Sequence, residues 1–172
     1  MIELLKQRCS VRKYTKKLIE AEKIEILKEA LLLSPSSRNY TPWEFVFVQD
    51  KAILEELSMS KEHGSDFVKG AALAIVVCGD QSKSDIWVED CTIASFVAHT
   101  TAASLGLGSC WVQIHHRMHS DHMTSNHYIK EILNLPDSIA VESIIAIGYP
   151  DEKPEPKTLE DLDFNKIHNE KW

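Results

Sequence analysis

The feature that most restricts the fold is a long segment, residues 87–105, that is apolar around nearly its whole circumference when drawn as a helix. Its apolar residues do not form a single stripe: they are Cys91, Ile93, Ala94, Phe96, Val97, Ala98, Ala102, Ala103 and Leu105. A helix with apolar residues on all sides has to be enclosed by other structure. The segment therefore predicts a helix buried in a large core or between subunits, and Gly106 supplies its stop.

Shorter helices and strands alternate along the rest of the chain. The run 71–78 (AALAIVVC) is continuously apolar, which is typical of a strand buried on both faces. Hydrophobic periodicity and capping residues predict the remaining elements: strands at 43–49, 109–115 and 140–148, and helices at 2–7, 20–33, 51–59 and 124–134. The order α-α-β-α-β-α-β-α-β indicates a mixed α and β domain, and the pattern leaves the strand order open.

One domain is predicted over residues 1–150, followed by a C-terminal arm at 151–172. Prolines at positions 150, 154 and 156 prevent a regular helix there. Large apolar side chains nevertheless recur in the arm: Leu159, Leu162, Phe164, Ile167 and Trp172. A disordered tail would not need them. We expect the arm to dock on a second copy of the chain, with docking on its own domain as the alternative.

Charge and cysteine content limit the partners and the compartment. The formal net charge of −7 argues against nucleic acids and anionic membranes as partners. The four cysteines are scattered without a Cys-x-x-Cys pair, which is typical of a reducing compartment. The N-terminus has no signal-peptide pattern, and no stretch approaches the ~18 apolar residues of a membrane span. We therefore expect a cytoplasmic protein.

The first candidate binding segment is residues 8–12 (RCSVR). In an extended chain Arg8, Ser10 and Arg12 share one face. Two guanidinium groups and a hydroxyl suit a dianionic phosphate, through charge-assisted bidentate hydrogen bonds. On spacing alone, however, a solvated basic patch that pairs with surface acids is the more common explanation.

Two further loops combine small or flexible residues. Residues 34–39 (SPSSRN) end a helix with hydroxyl groups, which suits either a binding loop or an ordinary turn. Residues 106–113 (GLGSCWVQ) place glycines between a helix and a strand, the reverse of a dinucleotide fingerprint. The glycines predict a close backbone approach, either to a flat ring or to another chain.

Histidines are concentrated in one region, at positions 115, 116, 119, 122 and 127. Such spacing permits metal binding, but no cysteine or glutamate lies among them and His-Glu-x-x-His is absent. A metal-binding module is therefore the minor alternative, and we predict no metal site. Hydrolase and P-loop motifs are also absent.

Four motifs in order resemble the nitroreductase family of flavoproteins, as a short, bacterial-type member. They are Arg-x-Ser-x-Arg-x-Tyr at 8–14, Pro-Ser-Ser-Arg-Asn at 35–39 with Pro-Trp at 42–43, the helix leading from Asp-Cys at 90–91 into Gly-Leu-Gly-Ser-Cys-Trp at 106–111, and Ile-Gly-Tyr-Pro at 147–150. Each motif alone is common, whereas the ordered set, which extends to about residue 157, is specific.

The resemblance implies an α+β fold with a mostly antiparallel central sheet flanked by helices, in a domain-exchanged homodimer. It implies an FMN site with these residues: Arg8, Ser10, Arg12, Pro35, Ser36, Ser37, Asn39, Trp111, Val112, Gln113 and Lys157, with Lys153 as the alternative to the last. The first three would hold the phosphate and ribityl end, the 35–39 residues would come from the other subunit, and Trp111 to Gln113 would lie along the isoalloxazine ring.

The resemblance also implies the reaction, in which NADH or NADPH reduces the flavin and a small electron-poor acceptor reoxidises it. No protein side chain is expected to be catalytic, because the cofactor carries the chemistry. The same scaffold also suits dehalogenation, flavin fragmentation or azoline oxidation, and the sequence does not name the acceptor. Two departures stand out: Phe96 and Val97 replace a usual Gln-Asn pair, and the span 61–86 is short.

Overall fold

The computed structural model describes all 172 residues and is built around one antiparallel sheet. The sheet has the order β1-β2-β6-β3, and every neighbouring pair is antiparallel. Its strands are β1 (Trp43–Val48), β2 (Leu73–Asp80), β3 (Gly108–Gln113) and β6 (Ile139–Gly148). A small hairpin of β4 (Met118–Ser120) and β5 (Met123–Thr124) was not predicted from the sequence.

Five helices surround the sheet, and all five were predicted. They are α1 (Ile2–Gln7), α2 (Ala21–Leu32), α3 (Lys51–Ser58), α4 (Trp87–Ser104) and α5 (Ser125–Leu133). The Asp50 side chain caps α3 by accepting from the N–H groups of Ala52 and Ile53. The α+β class with an antiparallel sheet is therefore confirmed.

The central strand β2 is buried on both faces, as its apolar run predicted. Leu73, Ile75 and Val77 face one core, which α2 and α4 cover. The alternate residues of β2 face a second core, which α3 and α5 help to close. The sheet therefore separates two helical layers, and β3 lies at one edge between them.

The long helix α4 is only partly enclosed by its own chain. Cys91, Ala94, Ala98 and Ala102 are fully buried against the sheet. On the outer side, Ile93 and Phe96 are 42% and 48% exposed. The predicted enclosure of α4 is thus complete on the sheet side and open on the other.

The C-terminal arm is exposed from residue 155 onward, although its first residues contact the domain. Every residue from 155 to 172 is exposed, including its five large apolar side chains. Two single turns, at Leu159–Asp161 and Phe164–Lys166, are its only regular elements. Docking of the arm on a second copy of the chain stays a prediction.

Two further features concern the cysteines and the helices. All four cysteines are free, and Cys78, Cys91 and Cys110 are buried. None of the helices combines the length and the hydropathy that a bilayer crossing requires.

Candidate functional site

The basic segment 8–12 runs beside the outer edge of β3. Ser10 forms a parallel bridge with Ser109, and the N–H of Val11 donates to the Ser109 carbonyl at 3.0 Å. Gly108 makes this approach possible, because a Cβ there would lie 2.8 Å from the Val11 side chain. The glycines were expected to allow a close backbone approach. In the structure, the segment that approaches Gly108 is residues 8–12 of the same chain.

Tyr14 holds the C-terminal end of this segment in place. Its hydroxyl lies 2.5 Å from the Val11 carbonyl and 3.2 Å from that of Ala146. Its ring fills the space above Gly148, where an added Cβ would meet ring atoms at 2.8 Å. Burial raises the pKa of Tyr14 far above its ordinary value, so the phenol is a neutral structural group. The backbone between Ser10 and Tyr14 is therefore held at both ends.

The arginines of this segment have no carboxylate partner. None of the four arginines, Arg8, Arg12, Arg38 and Arg117, forms an ion pair within 4.0 Å, although the chain carries 26 acidic residues. Burial raises the pKa of the Cys110 thiol, and the charges of Arg12 and Arg8 oppose that rise. The charges of both guanidinium groups, and the opposing charge of Glu152, therefore act near Cys110 at the start of β3.

The outer edge of β3 also offers unpaired backbone groups. In an antiparallel strand alternate residues direct their N–H and C=O groups to opposite sides. Because the Ser109 carbonyl points outward to Val11, the backbone groups of Trp111 and Gln113 point outward as well. Val112 points its backbone toward β6, and its side chain is buried.

The side chains of Trp111 and Gln113 are fixed by each other. The indole N–H of Trp111 donates to Gln113 Oε1 at 3.0 Å, and Gln113 Nε2 donates to the His115 carbonyl at 3.2 Å. The imidazole of His99 lies parallel to the Trp111 indole, with ring centroids 6.4 Å apart. This stretch of strand is therefore a rigid surface beside the basic segment.

The loop at 35–39 is held against the N-terminal end of α4. The Ser37 N–H donates to Asp90 Oδ1 at 2.8 Å, and the Thr41 N–H donates to Ser36 Oγ at 2.8 Å. Arg38 and Asn39 have positive φ angles of 50° and 57°, which are costly for residues other than glycine. Asp90 is 2% exposed, and its Oδ2 has no partner. Sequence reasoning gave Asp90 no such role, because its partner lies 53 residues away.

The two parts of the expected site lie at opposite ends of α4. Ser37 contacts Asp90, whereas Ala103 lines a cleft of about 240 Å³ together with Arg8 and Ser109. Residues 90 and 103 are separated by roughly 20 Å along a helix that rises 1.5 Å per residue. A single chain thus brings Arg8, Ser10, Arg12 and β3 together and leaves the 35–39 loop apart.

The segment after Pro150 returns to the basic segment. Glu152 Oε1 accepts from the backbone N–H groups of Arg12 at 2.5 Å and Lys13 at 3.1 Å. The Glu155 carbonyl lies 3.5 Å from Cys9 Sγ, two residues before the exposed Lys157. The predicted contact of Lys157 with a phosphate stays a prediction. Glu152 had no signal in the sequence, since it is one acid among many.

The histidines of residues 115–127 separate into different environments. The rings of His115 and His116 have centroids 3.8 Å apart and are tilted by 52° to each other, and His119 stacks on Tyr128 at 3.9 Å. His127 instead pairs with Glu131 one turn along α5. No three side chains of His, Cys, Asp or Glu converge as metal ligands anywhere in the structure.

An antiparallel sheet of this order, with one long helix across a face and a basic segment along its edge strand, defines the nitroreductase fold. The solved structure of an FMN-dependent nitroreductase from Clostridium difficile R20291 superposes with a TM-score of 0.99 over 100% of both chains, at 43% identity. The nitroreductase family profile matches residues 5–60 and 54–149. The chain belongs to the nitroreductase family.

Relatives in archaea resemble the chain over nearly its full length. A protein of Archaeoglobus fulgidus, provisionally named NADH dehydrogenase/NAD(P)H nitroreductase, is 34% identical, and the match covers 99% of this chain and 98% of the relative. A protein of Methanothermobacter thermautotrophicus with the same provisional name is 35% identical, with 100% and 87% covered.

Proposed function

We propose that the chain is an FMN-dependent oxidoreductase that uses NADH or NADPH to reduce a small electron-poor acceptor. The observation that carries the proposal is the pair of arginines without carboxylate partners, Arg8 and Arg12, held with Ser10 beside the free edge of β3. The names of the similar proteins, which include FMN-dependent and NAD(P)H nitroreductases, support it.

The residues present fit the parts of FMN. Arg8, Arg12 and the Ser10 hydroxyl match a dianionic phosphate, and Lys157 adds a further cation from the returning segment. The outward backbone groups of Trp111 and Gln113 match the donor and acceptor edge of a flat polar ring.

When bound, FMN would supply the hydride chemistry, taking electrons from the nicotinamide and passing them to the acceptor at the same face. The protein's contribution is then orientation. The Trp111–Gln113–His115 hydrogen bonds keep the strand surface rigid, and buried Val112 anchors the strand in the core. No nucleophilic side chain is needed, which agrees with the absence of a hydrolase motif.

We infer that the complete site spans two subunits of a homodimer. Pro35, Ser36, Ser37 and Asn39 would reach the cofactor from the partner, because in one chain they lie at the far end of α4. The exposed Ile93 and Phe96 would meet the partner's surface, and the apolar side chains of the arm at 151–172 would dock on it.

The first test is the visible absorption spectrum of the purified protein, repeated anaerobically after NADH or NADPH is added. We expect flavin bands that bleach with the nicotinamide. Bands that persist would support the FMN site but indicate that the protein catalyses another flavin reaction of the same fold. A protein that takes up no FMN would contradict the proposal.

The phosphate assignment is tested by Arg12→Ala. A hydrogen bond to a charged group contributes ~1.5–3 kcal/mol, so FMN affinity should fall roughly ten- to hundredfold. The matched control is Lys16→Ala, which removes an exposed cation that forms no ion pair. Affinity would be measured by flavin fluorescence titration, and equal affinities of the two variants would contradict the assignment.

A further inference from the structure

A second polar pocket opens beyond the end of β3. Its volume is about 390 Å³, within the lower range of small-molecule sites. Eight residues line it, none of them acidic, and the polar ones are Gln81, His115, His116, Arg117, Thr124 and Asn126. We call it the histidine pocket. In a chain with a net charge of −7, a pocket without a single carboxylate is suited to an anion.

The backbone around this pocket is fixed in an unusual conformation. His116 has a φ of 57°, a left-handed conformation that costs energy for a residue with a side chain. That reversal places the rings of His115 and His116 together, and the His115 ring meets Trp87 edge-on at 5.1 Å. The His115 ring therefore lies between Trp87 and His116, and the His116 ring is exposed at the mouth of the pocket.

Arg117 supplies the positive charge of the pocket. Its N–H donates to the Ile114 carbonyl at 2.9 Å, and its own carbonyl accepts from the Ser125 N–H at 2.9 Å. Its guanidinium has no carboxylate within 4.0 Å. Lys61 also forms no ion pair. Burial lowers the pKa of Lys61, and the positive charge of Arg117 lowers it further. Lys61 lies outside the pocket lining, so the exposed Arg117 is the cation of the pocket itself, and it has no counter-ion there.

The composition of the pocket distinguishes between anions. One guanidinium can hold a carboxylate through two parallel hydrogen bonds. A dianionic phosphate calls for more charge, such as the Arg8 and Arg12 pair at the start of β3 provides. The imidazole of His115 is neutral at pH 7, since burial and the neighbouring His116 lower its pKa. It can donate one hydrogen bond without adding a second positive charge.

The pocket begins next to the surface proposed for the flavin ring. His115 follows Gln113 by two residues, which an extended chain spans in at most about 7 Å. A small molecule anchored in the pocket would therefore place its other end near Gln113.

We propose that the histidine pocket binds the carboxylate of a small organic acid that serves as the electron acceptor. The acceptor role rests on the proposed function, whereas carboxylate binding is a property of the pocket and holds with or without electron transfer.

The binding step is tested with benzoate against its neutral analogue benzamide, on the protein supplemented with FMN. The histidine Cε1–H resonances are followed by NMR during each titration. We expect benzoate to shift the resonances of His115 and His116 and benzamide to leave them in place. Arg117→Gln should weaken benzoate binding about tenfold or more, while Lys51→Gln, which removes an exposed cation outside the pocket, should not.

The acceptor role is tested with 4-nitrobenzoate and 4-nitrobenzamide as matched electron acceptors. Wild type should have the higher kcat/KM for the acid, and Arg117→Gln should abolish that preference. Equal use of both acceptors by wild type would overturn the proposal, as would benzoate shifts that persist in Arg117→Gln. The flavin absorbance shows whether the proposed function fails. The NMR titration measures benzoate binding without turnover, so the two failures can be distinguished.

Discussion

Burial of one residue, His99, makes the stability of the fold depend on pH. Its ring is 6% exposed on α4, and Nδ1 lies 2.7 Å from Ser109 Oγ, next to the bridge that holds the basic segment. Burial and, as the smaller cause, the charge of Arg8 together lower the pKa of His99 to about 4. The folded state therefore keeps this imidazole neutral well below the pH at which a free histidine becomes charged.

The sign of the effect on stability follows from linkage. Between pH 6.5 and about 4 the unfolded chain binds a proton at His99 and the folded chain does not, so the free energy of unfolding falls as the pH falls. At pH 5 the loss relative to pH 7 should be about 2 kcal/mol. Urea unfolding at both pH values should show this loss in wild type and a smaller one in His99→Gln.

The control for this prediction is His63→Gln, because His63 is exposed and its removal changes the same formal charge. The control should retain the pH dependence of wild type, which also includes the titration of carboxylates. If His99→Gln and His63→Gln showed the same loss between pH 7 and pH 5, the neutral buried state of His99 would be refuted.

Single residues differ in how far their surroundings can be predicted from sequence. Arg8, Ser10 and Arg12 were expected on one extended segment, and the structure places that segment beside β3. Their role in binding FMN stays a prediction. Glu152 and Asp90 gave no signal, because each interacts with backbone N–H groups that lie far away in sequence. A carboxylate that pairs with a remote amide has no local pattern.

At the scale of elements, predicted strands and helices lie within about two residues of the observed ones, because their periodicity is local. The order β1-β2-β6-β3 was not predictable, since it depends on pairing between distant segments. The β4–β5 hairpin was missed because strands of three and two residues are too short to show alternation.

The strand β6 contains an irregularity that no apolar pattern could reveal. Its pairing with β2 shifts between Val77 and Cys78, which leaves Glu142 without a paired residue opposite. Glu142 is 1% exposed, and burial raises the pKa of its carboxyl group. The Ser143 hydroxyl next to it lies 2.9 Å from that of Ser95 on α4. A small polar layer therefore lies inside an apolar interface between sheet and helix.

The contact between the basic segment and β3 predicts the effect of Gly108→Ala. The added methyl would lie 2.8 Å from the Val11 side chain, so the segment carrying Arg8 and Arg12 would have to move. We expect a loss of about 1–3 kcal/mol in unfolding free energy, as for other overpacked sites, together with weaker FMN binding.

Gly70→Ala is the matched control for Gly108→Ala. A Cβ at Gly70 would have nothing within 4 Å, so the same substitution should change stability little and leave FMN binding intact. Thermal unfolding and flavin titration would compare the two variants. Equal behaviour would mean that the contact between Gly108 and Val11 does not position the arginines.

At the scale of the whole molecule, three features of the single chain lack a structure that they could pack against or complete. The 35–39 loop lies roughly 20 Å from the basic segment along α4, by the rise of the helix. The outer side of α4 exposes Ile93 and Phe96, and the arm exposes five large apolar side chains. A homodimer in which α4 faces the partner would complete all three, because a two-fold axis brings one end of each helix toward the opposite end of the other.

This arrangement predicts the result of Phe96→Glu. A carboxylate in the middle of an apolar interface would lose its solvation without gaining a partner, so the variant should be monomeric by analytical ultracentrifugation. FMN affinity should fall at least tenfold with it, since each site would lose the partner's Ser36 and Ser37. The control is Met59→Glu, because Met59 is similarly exposed, at 51%, but follows α3 on the other face of the sheet.

The two measurements separate the parts of the dimer hypothesis. If Phe96→Glu stayed dimeric, the outer side of α4 would not be the interface, and the arm would become the next segment to test. If the variant were monomeric but bound FMN as tightly as Met59→Glu, the dimer would be real and the site would belong to one subunit. Only the joint loss of dimer and flavin supports a site built from the basic segment of one subunit and the 35–39 loop of the other.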